Sequence, residues 1–469
     1  MQRKSFALAR AGLALALVTV TGWVNSQSPT ENETSKEHNK ETKCSVSINE
    51  AKAFKGYTLL APLNSKKTHL IDMEGHVVHS WESDCMPALV TYLLDNGNLL
   101  RTGNANAGFS PPGFGGRVQE YSWDGKLLWD YTHKGKDQRL HHDITRLPNG
   151  NILMIISDRK NRADALAAGR RPETVRELFS TDGIVEVKPT GPTSGEIVWE
   201  WHVWDHLVQD HDKNKPNFGK ISTRAERVDI NFAMSLTGKP MPSSPADFTH
   251  FNSVDYNAEL DQIMISLRHF SEIWIIDHST TKAEAATSKG GKSGKGGDLL
   301  YRWGNPMAYK SGTASDRRLF FQHNAHWIPK DLPGAGNVLI FNNGLRQSDR
   351  DYSSVDEIVL PQYKDGSYER RPENPFGPTM PTWSYTAPTK TEFFAGFISG
   401  AQRLPNGNTL ICSGNASVVF EVTPQMEVVW KFTTPAKSHG ELFRSYRFGV
   451  DHPALKGREL TPGKKIEDL

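Results

Sequence analysis

Short apolar runs separated by polar turn residues recur along this chain, the pattern expected of strands joined by tight turns. The segments YLLDNGNLL (92–100), HHDITRLPNGNILMI (141–155) and SGAQRLPNGNTLICS (399–413) each combine an extended run, an Asn-Gly turn and a second extended run. Asn-Gly supplies the positive φ that a tight turn needs, so each segment predicts a hairpin. A second hairpin with an aromatic residue near its end follows each, as in VQEYSWDGKLLWDY (118–131), GIVEVKPTGPTSGEIVWEWH (183–202) and VVFEVTPQMEVVWKF (418–432). Two hairpins make a four-stranded meander. A β-sandwich would also show many short strands, but only a propeller explains why one four-strand pattern returns with the same turn.

Innermost strands are expected to begin near Leu89, His142, His250, His323 and Ser399, with one more near the C-terminus. The stretch GYTLLAP (56–62) and KTHLIDMEGHVVHSW (67–81) has no strand before it, so its missing first strand should come from FRSYRFG (443–449). The expected fold is therefore all-β, a six-bladed β-propeller of four-stranded antiparallel blades closed by the N- and C-terminal segments. Insertions interrupt the repeat at residues 159–182, 204–248, 277–299 and 344–382, and KAEAATSKGGKSGKGG (282–297) reads as a mobile surface loop.

With 55 Lys+Arg against 53 Asp+Glu and no block of like charge, the chain has no electrostatic footprint for nucleic acid. Arg3, Lys4 and Arg10 precede an apolar run from Ala11 to Val24, too short for a membrane span. Residues 1–26 are thus expected to be a signal peptide, 27–43 a disordered leader and 44–469 the propeller, with no stable membrane insertion after cleavage and a periplasmic or secreted location. Of the three cysteines, Cys44 and Cys85 flank the first strands and are expected to form a disulfide, leaving Cys412 buried and free.

Alignment on the Asn-Gly turns puts His142, His250 and Ser399 at one register position, and HNAHWIP (323–329) matches HDITRLP (142–148), so that His323 takes this position in its blade. A histidine taken singly more often fills a half-buried structural site, but three in one register on channel-lining strands should converge at one end of the channel. Imidazole can then act as nucleophile, base or metal ligand. Arg268 of MISLRHF lies on the next strand after His250, where its planar donors would suit sulfate or phosphate oxygens. Three histidines could equally hold zinc or copper, although no acidic residue aligns with them. A non-catalytic binding propeller is the third possibility.

The strings HHD (141–143), HFNS (250–253), SLRH (266–269) and QHNA (322–325), in this order, resemble the arylsulfotransferases of the bacterial periplasm over about residues 55–455. The resemblance implies a six-bladed propeller that moves a sulfuryl group from a phenolic sulfate ester to a phenol, without 3′-phosphoadenosine-5′-phosphosulfate, metal or other cofactor, in a ping-pong reaction through a sulfurylated histidine. It implies His323 as nucleophile, and His142, His250 and Arg268 as the groups that hold the sulfuryl oxygens and handle the phenolic proton. Asn252 corresponds to an amide donor, and Ser399 stands where a hydroxyl donor is expected. The disulfide of enterobacterial members has no equivalent pair here.

Overall fold

The three Asn-Gly turns are chemically alike. Gly97, Gly150 and Gly407 have φ of 86°, 87° and 88°, while the side-chain oxygens of Asn96, Asn149 and Asn406 accept from the amides of Asn98, Asn151 and Asn408 at 2.9, 2.9 and 3.1 Å. The glycine takes the left-handed position and the asparagine caps the turn, so each residue of the pair acts for a separate physical reason.

The computed structural model describes residues 45–105, 115–133, 135–175, 177–233, 246–346, 348–370, 373–434 and 440–468. The signal peptide, the leader and Cys44 lie outside the described residues. Within the unit Thr42–Leu469, six antiparallel sheets form a six-bladed propeller. Blade 1 comprises Gly56–Pro62, Lys67–Ile71 and Val77–Glu82, and its innermost strand is the C-terminal Leu442–Gly449, as expected. The innermost strands of blades 2 to 6 are Pro87–Leu93, Gln138–Arg146, Phe251–Asn257, His323–Trp327 and Gly400–Arg403. Blade 6 carries a fifth, outermost strand, Ser45–Asn49, that the repeat pattern did not reveal. No helix among the described residues is long and apolar enough to cross a membrane.

The recurring aromatic of the second hairpin has a structural role between blades. The indole nitrogens of Trp81, Trp129, Trp201, Trp303, Trp383 and Trp430 donate to the carbonyls of Ser122, Ser194, Gly297, Pro378, Pro424 and Met73 at 2.7–3.1 Å. Each acceptor lies in or beside the connection between the third and fourth strands of the following blade, and Trp430 closes the ring from blade 6 to blade 1.

Three expectations differ from the structure. His142 lies within its strand rather than at its start, because the strand lengthens to pair Gln138 with Asp158. Cys85 carries a free thiol, so the Cys44–Cys85 bridge is not formed: Ser45 pairs with Thr433 at the outer edge of blade 6, whereas Cys85 lies in the link between blades 1 and 2. Cys412 is buried and free, as expected. Residues 282–297 form ordered turns rather than a loose loop, opening with the helical turn Lys282–Ala285, which Thr281 and Glu284 cap reciprocally.

Candidate active site

The innermost strands enter the channel with a kink. His142, His250 and Ser399, equivalent in the repeat, have φ of 55°, 55° and 86°, and in blade 5 Phe321 and Asn324 flank His323 with φ of 57° and 52°. Left-handed backbone at non-glycine residues costs on the order of 1–3 kcal/mol per position and tends to mark functional sites. The ladders slip beside three of these kinks, between Met154 and Ile156, Phe251 and Ser253, and His323 and His326. Such bulges re-aim side chains out of the plain alternation.

The structure brings His142, His250, His323 and Arg268 together. The rings of His142 and His250 lie edge to face, 4.8 Å apart. The Arg268 amide donates to the His250 carbonyl at 3.0 Å, and its guanidinium stacks 4.8 Å over Phe321, two residues before His323. Burial holds His323 well below the usual imidazole range, with the charges of Arg268, His250 and Arg444 adding to the effect against an opposing hydrogen bond to Asn343. His142 is depressed in the same direction, first by burial and then by His250, His141, His323 and Arg444.

Each of the three rings is held from behind through Nδ1. His323 Nδ1 lies 2.7 Å from Asn343 Oδ1 and 3.1 Å from the Phe321 carbonyl. Asn343 Nδ2 donates to the carbonyls of Ala395 and Ile398 at 2.6 and 3.0 Å, which orients its Oδ1 toward the histidine. Both partners of Nδ1 are acceptors, so Nδ1 carries the proton and Nε2 the lone pair. His250 Nδ1 contacts Asp247 Oδ2 at 2.5 Å. Burial acts to raise Asp247, but the charges of His250 and His269 and the hydrogen bond to His250 outweigh it and leave the carboxyl strongly acidic. His142 Nδ1 meets His141 Nδ1 at 2.8 Å.

The expectation that no carboxylate aligns with the histidines is therefore corrected, since Asp247 backs His250 from the end of an insertion. Asp247, His250 and His269 present ligand atoms within 4.8 Å of one another. Asp247 Oδ2 and His250 Nδ1 lie 2.5 Å apart, at direct hydrogen-bond distance. His269, pushed down to about 3 chiefly by burial, donates instead to the Asp247 carbonyl at 2.9 Å.

Asn252 is buried beneath the cluster and gives one amide hydrogen to the Gln322 carbonyl at 2.7 Å. The Ser399 hydroxyl accepts from Gly414 N at 2.9 Å and donates to the Phe397 carbonyl at 3.4 Å. Sequence reasoning missed Asn343, Asp247 and Arg444. Arg444, on the closing C-terminal strand, joins Asp143 Oδ2 at 2.8 Å, the Tyr92 hydroxyl at 2.9 Å and the Asn252 carbonyl at 3.0 Å. This layer separates the histidines from a cavity of about 590 Å³ toward the Asn-Gly turns, lined by Asp95, Thr145, Asp255, His326 and Tyr446 among others. Its only sequence signals were the Asp of HHD and the FRSYRFG string.

The Arylsulfotransferase (ASST) family model matches residues 33–441. A protein named arylsulfate sulfotransferase AssT from Escherichia coli O6:H1 is 24% identical over 321 residues, covering 65% of this chain and 50% of that protein. One of the same name from Lelliottia amnigena is 23% identical over 322 residues, with the same coverage. This chain spans about half the length of these curated relatives. Among solved structures, a Bacteroides caccae protein of unknown function superposes with a TM-score of 0.45 at 12% identity, over 84% of this chain and 99% of that one.

Proposed function

Since this chain belongs to the arylsulfotransferase family, we propose that it moves a sulfuryl group from a phenolic sulfate ester to a phenol acceptor by way of a sulfohistidine on His323, after export to the periplasm or exterior. The observation that carries this reading is the state of His323. A buried imidazole that donates from Nδ1 to Asn343 Oδ1 and the Phe321 carbonyl leaves its lone pair at Nε2, and the charge of the Arg268 guanidinium acts on the same ring. A nucleophile beside a planar cation is what sulfuryl transfer needs, because the transition state is loose and its charge sits on the equatorial oxygens.

In this reading the His323 Nε2 pair attacks sulfur, the bond from sulfur to the aryl oxygen breaks, and phenolate leaves. Arg268 holds sulfuryl oxygens with its fork of donors. His250, held through Nδ1 by the Asp247 carboxylate, lies against the same oxygens. Asn252 offers its second amide hydrogen, and Ser399 its hydroxyl once turned from the long contact to Phe397. His142 faces the aryl oxygen and exchanges the phenolic proton. The acceptor phenol reverses the sequence.

The test is incubation with 4-nitrophenyl sulfate without acceptor, followed by mass spectrometry. One sulfuryl group, about 80 Da and acid-labile, should map to His323, with ping-pong kinetics once a phenol is added. His323→Asn should lose both the adduct and nitrophenol release. An adduct on His142, or near-native turnover by His323→Asn, refutes the assignment. A stoichiometric zinc or copper required for activity in the purified protein would replace this reading with a metal-dependent one.

A further inference from the structure

The proton that His142 exchanges has a continuation behind the ring. His141, the first residue of HHD, is buried, and its Nδ1 lies 2.8 Å from His142 Nδ1. Its Nε2 lies 3.1 Å from Asp182 Oδ1, with both side chains 2% exposed. Asp182 is anchored in turn, because its Oδ2 accepts from the Thr249 hydroxyl at 2.6 Å and the Phe251 amide at 2.9 Å. The line runs from the channel through His142 and His141 to a carboxylate fixed between blades 3 and 4.

Two nitrogens facing each other can share only one proton, so the contact between the two Nδ1 atoms has two complementary states. When His141 is neutral, its Nε2–H points at Asp182 and its Nδ1 accepts. His142 must then carry Nδ1–H and offers a lone pair at Nε2. When His141 is an imidazolium paired with Asp182, its Nδ1–H donates, and His142 carries Nε2–H toward the channel. The hydrogen bonds are satisfied in both states, and the states differ by one proton.

We propose that Asp182 and His141 form a proton store that switches His142 between acid and base in the two half-reactions, an inference that rests on the sulfotransferase reading above. In the donor half-reaction His142 Nε2–H passes its proton to the departing phenolate oxygen, while His142 Nδ1 takes the proton from His141 Nδ1, leaving His141 neutral. In the acceptor half-reaction the phenol O–H proton moves to His142 Nε2 as its oxygen attacks sulfur, and the bond from sulfur to His323 breaks with its pair returning to Nε2. His142 Nδ1–H then passes to His141, restoring the imidazolium beside Asp182. No external acid or base enters the cycle. Burial disfavours charge on His142 itself, and the store answers that difficulty by keeping the charge on the ring that a carboxylate backs.

His141 and Asp182 are positioning residues, since neither touches substrate, and their signature is dependence on the leaving group. A 4-nitrophenolate leaves readily without a proton, whereas a 4-methoxyphenolate needs one. The measurement is kcat/KM for both aryl sulfates in wild type, Asp182→Asn and His141→Gln. Loss of the store should widen the preference for 4-nitrophenyl sulfate by about 10²-fold, at the lower end of what general acid catalysis contributes. An equal loss on both esters means a structural role and overturns the proposal, as does an unchanged preference. The second variant serves if one fails to fold. Wild type inert on both esters would sink the sulfotransferase reading, an outcome separate from failure of the relay.

Discussion

Replacing Asn343 with leucine tests the origin of the His323 nucleophile, because the two side chains are similar in size and only the amide is lost. Asn343 is fully buried, and its amide makes three contacts: 2.7 Å to His323 Nδ1, 2.6 Å to the Ala395 carbonyl and 3.0 Å to the Ile398 carbonyl. Leaving two buried carbonyls without donors costs roughly 1–3 kcal/mol each, so the variant should lose about 2–6 kcal/mol of stability. His323 would keep the Phe321 carbonyl at 3.1 Å as its Nδ1 partner, but not the shorter of the two contacts that fix its tautomer and ring plane. Where an orienting partner sets the tautomer of a catalytic imidazole, its loss costs up to the order of 10⁴ in rate. We expect adduct formation to slow by about 10²–10⁴-fold, followed as the burst of nitrophenolate in single turnover. Ser353→Ala separates the two effects. It removes the hydroxyl that donates to the Asn343 carbonyl at 2.6 Å and accepts from Ala395 N at 2.8 Å, while the amide facing His323 stays. That variant should lose stability but form the adduct within a few-fold of the wild-type rate. A leucine variant that is folded and forms adduct at the native rate would show that Asn343 does not prepare the nucleophile.

Two further outcomes follow from the charges. Asp247→Asn removes the carboxylate behind His250, and loss of a charged hydrogen bond of about 1.5–3 kcal/mol should lower kcat/KM by roughly 10–150-fold in the 4-nitrophenyl sulfate assay, whereas an unchanged value would remove His250 from the cradle. His326, on the cavity wall, is pushed down to about 4, mainly by burial. Its folded value lies below the unfolded one near 6.5, so its contribution to stability is complete above that value and is lost as pH falls toward the folded one. Between pH 7 and pH 5 this loss is about 2 kcal/mol. Urea denaturation of His326→Gln at both values should show an acid sensitivity smaller by that amount, and parallel behaviour of variant and wild type would refute the account.

What the sequence revealed and what it hid divide along a physical line. Each blade is a local meander, so its turns, its apolar period and its indole are set by residues close together in the chain, and they recur because every blade meets the same neighbours. That recurrence exposed the propeller, the closing strand and the shared register of His142, His250 and His323. The groups behind these rings obey no repeat. Asp182 comes from a lengthened hairpin 41 residues beyond His141, Asp247 from the end of an insertion, and Arg444 is 301 residues from the Asp143 it pairs with. Such pairings exist only once the ring of blades has closed, and nothing in local period or spacing encodes them. The failed Cys44–Cys85 pairing has the same cause, since nearness in sequence was read as nearness in space while Ser45 belongs to the last blade.

The repeat therefore supplies position, and the departures from it supply chemistry. Three equivalent imidazoles on equivalent strands would be indistinguishable by symmetry, yet the reaction needs a nucleophile, a group that holds oxygens and a proton carrier. The distinction comes from the partner behind each ring: a neutral amide for His323, a carboxylate for His250, and a second imidazole leading to a carboxylate for His142. The amide oxygen can only accept from His323, which fixes the proton at Nδ1 and the lone pair at Nε2, while burial disfavours charge on that ring. A carboxylate at direct contact orients the His250 ring through Nδ1, as a group that holds oxygens must be. An imidazole can accept or donate, as a proton carrier must. Exchanging these partners, not the histidines, is thus the change that should reassign the roles.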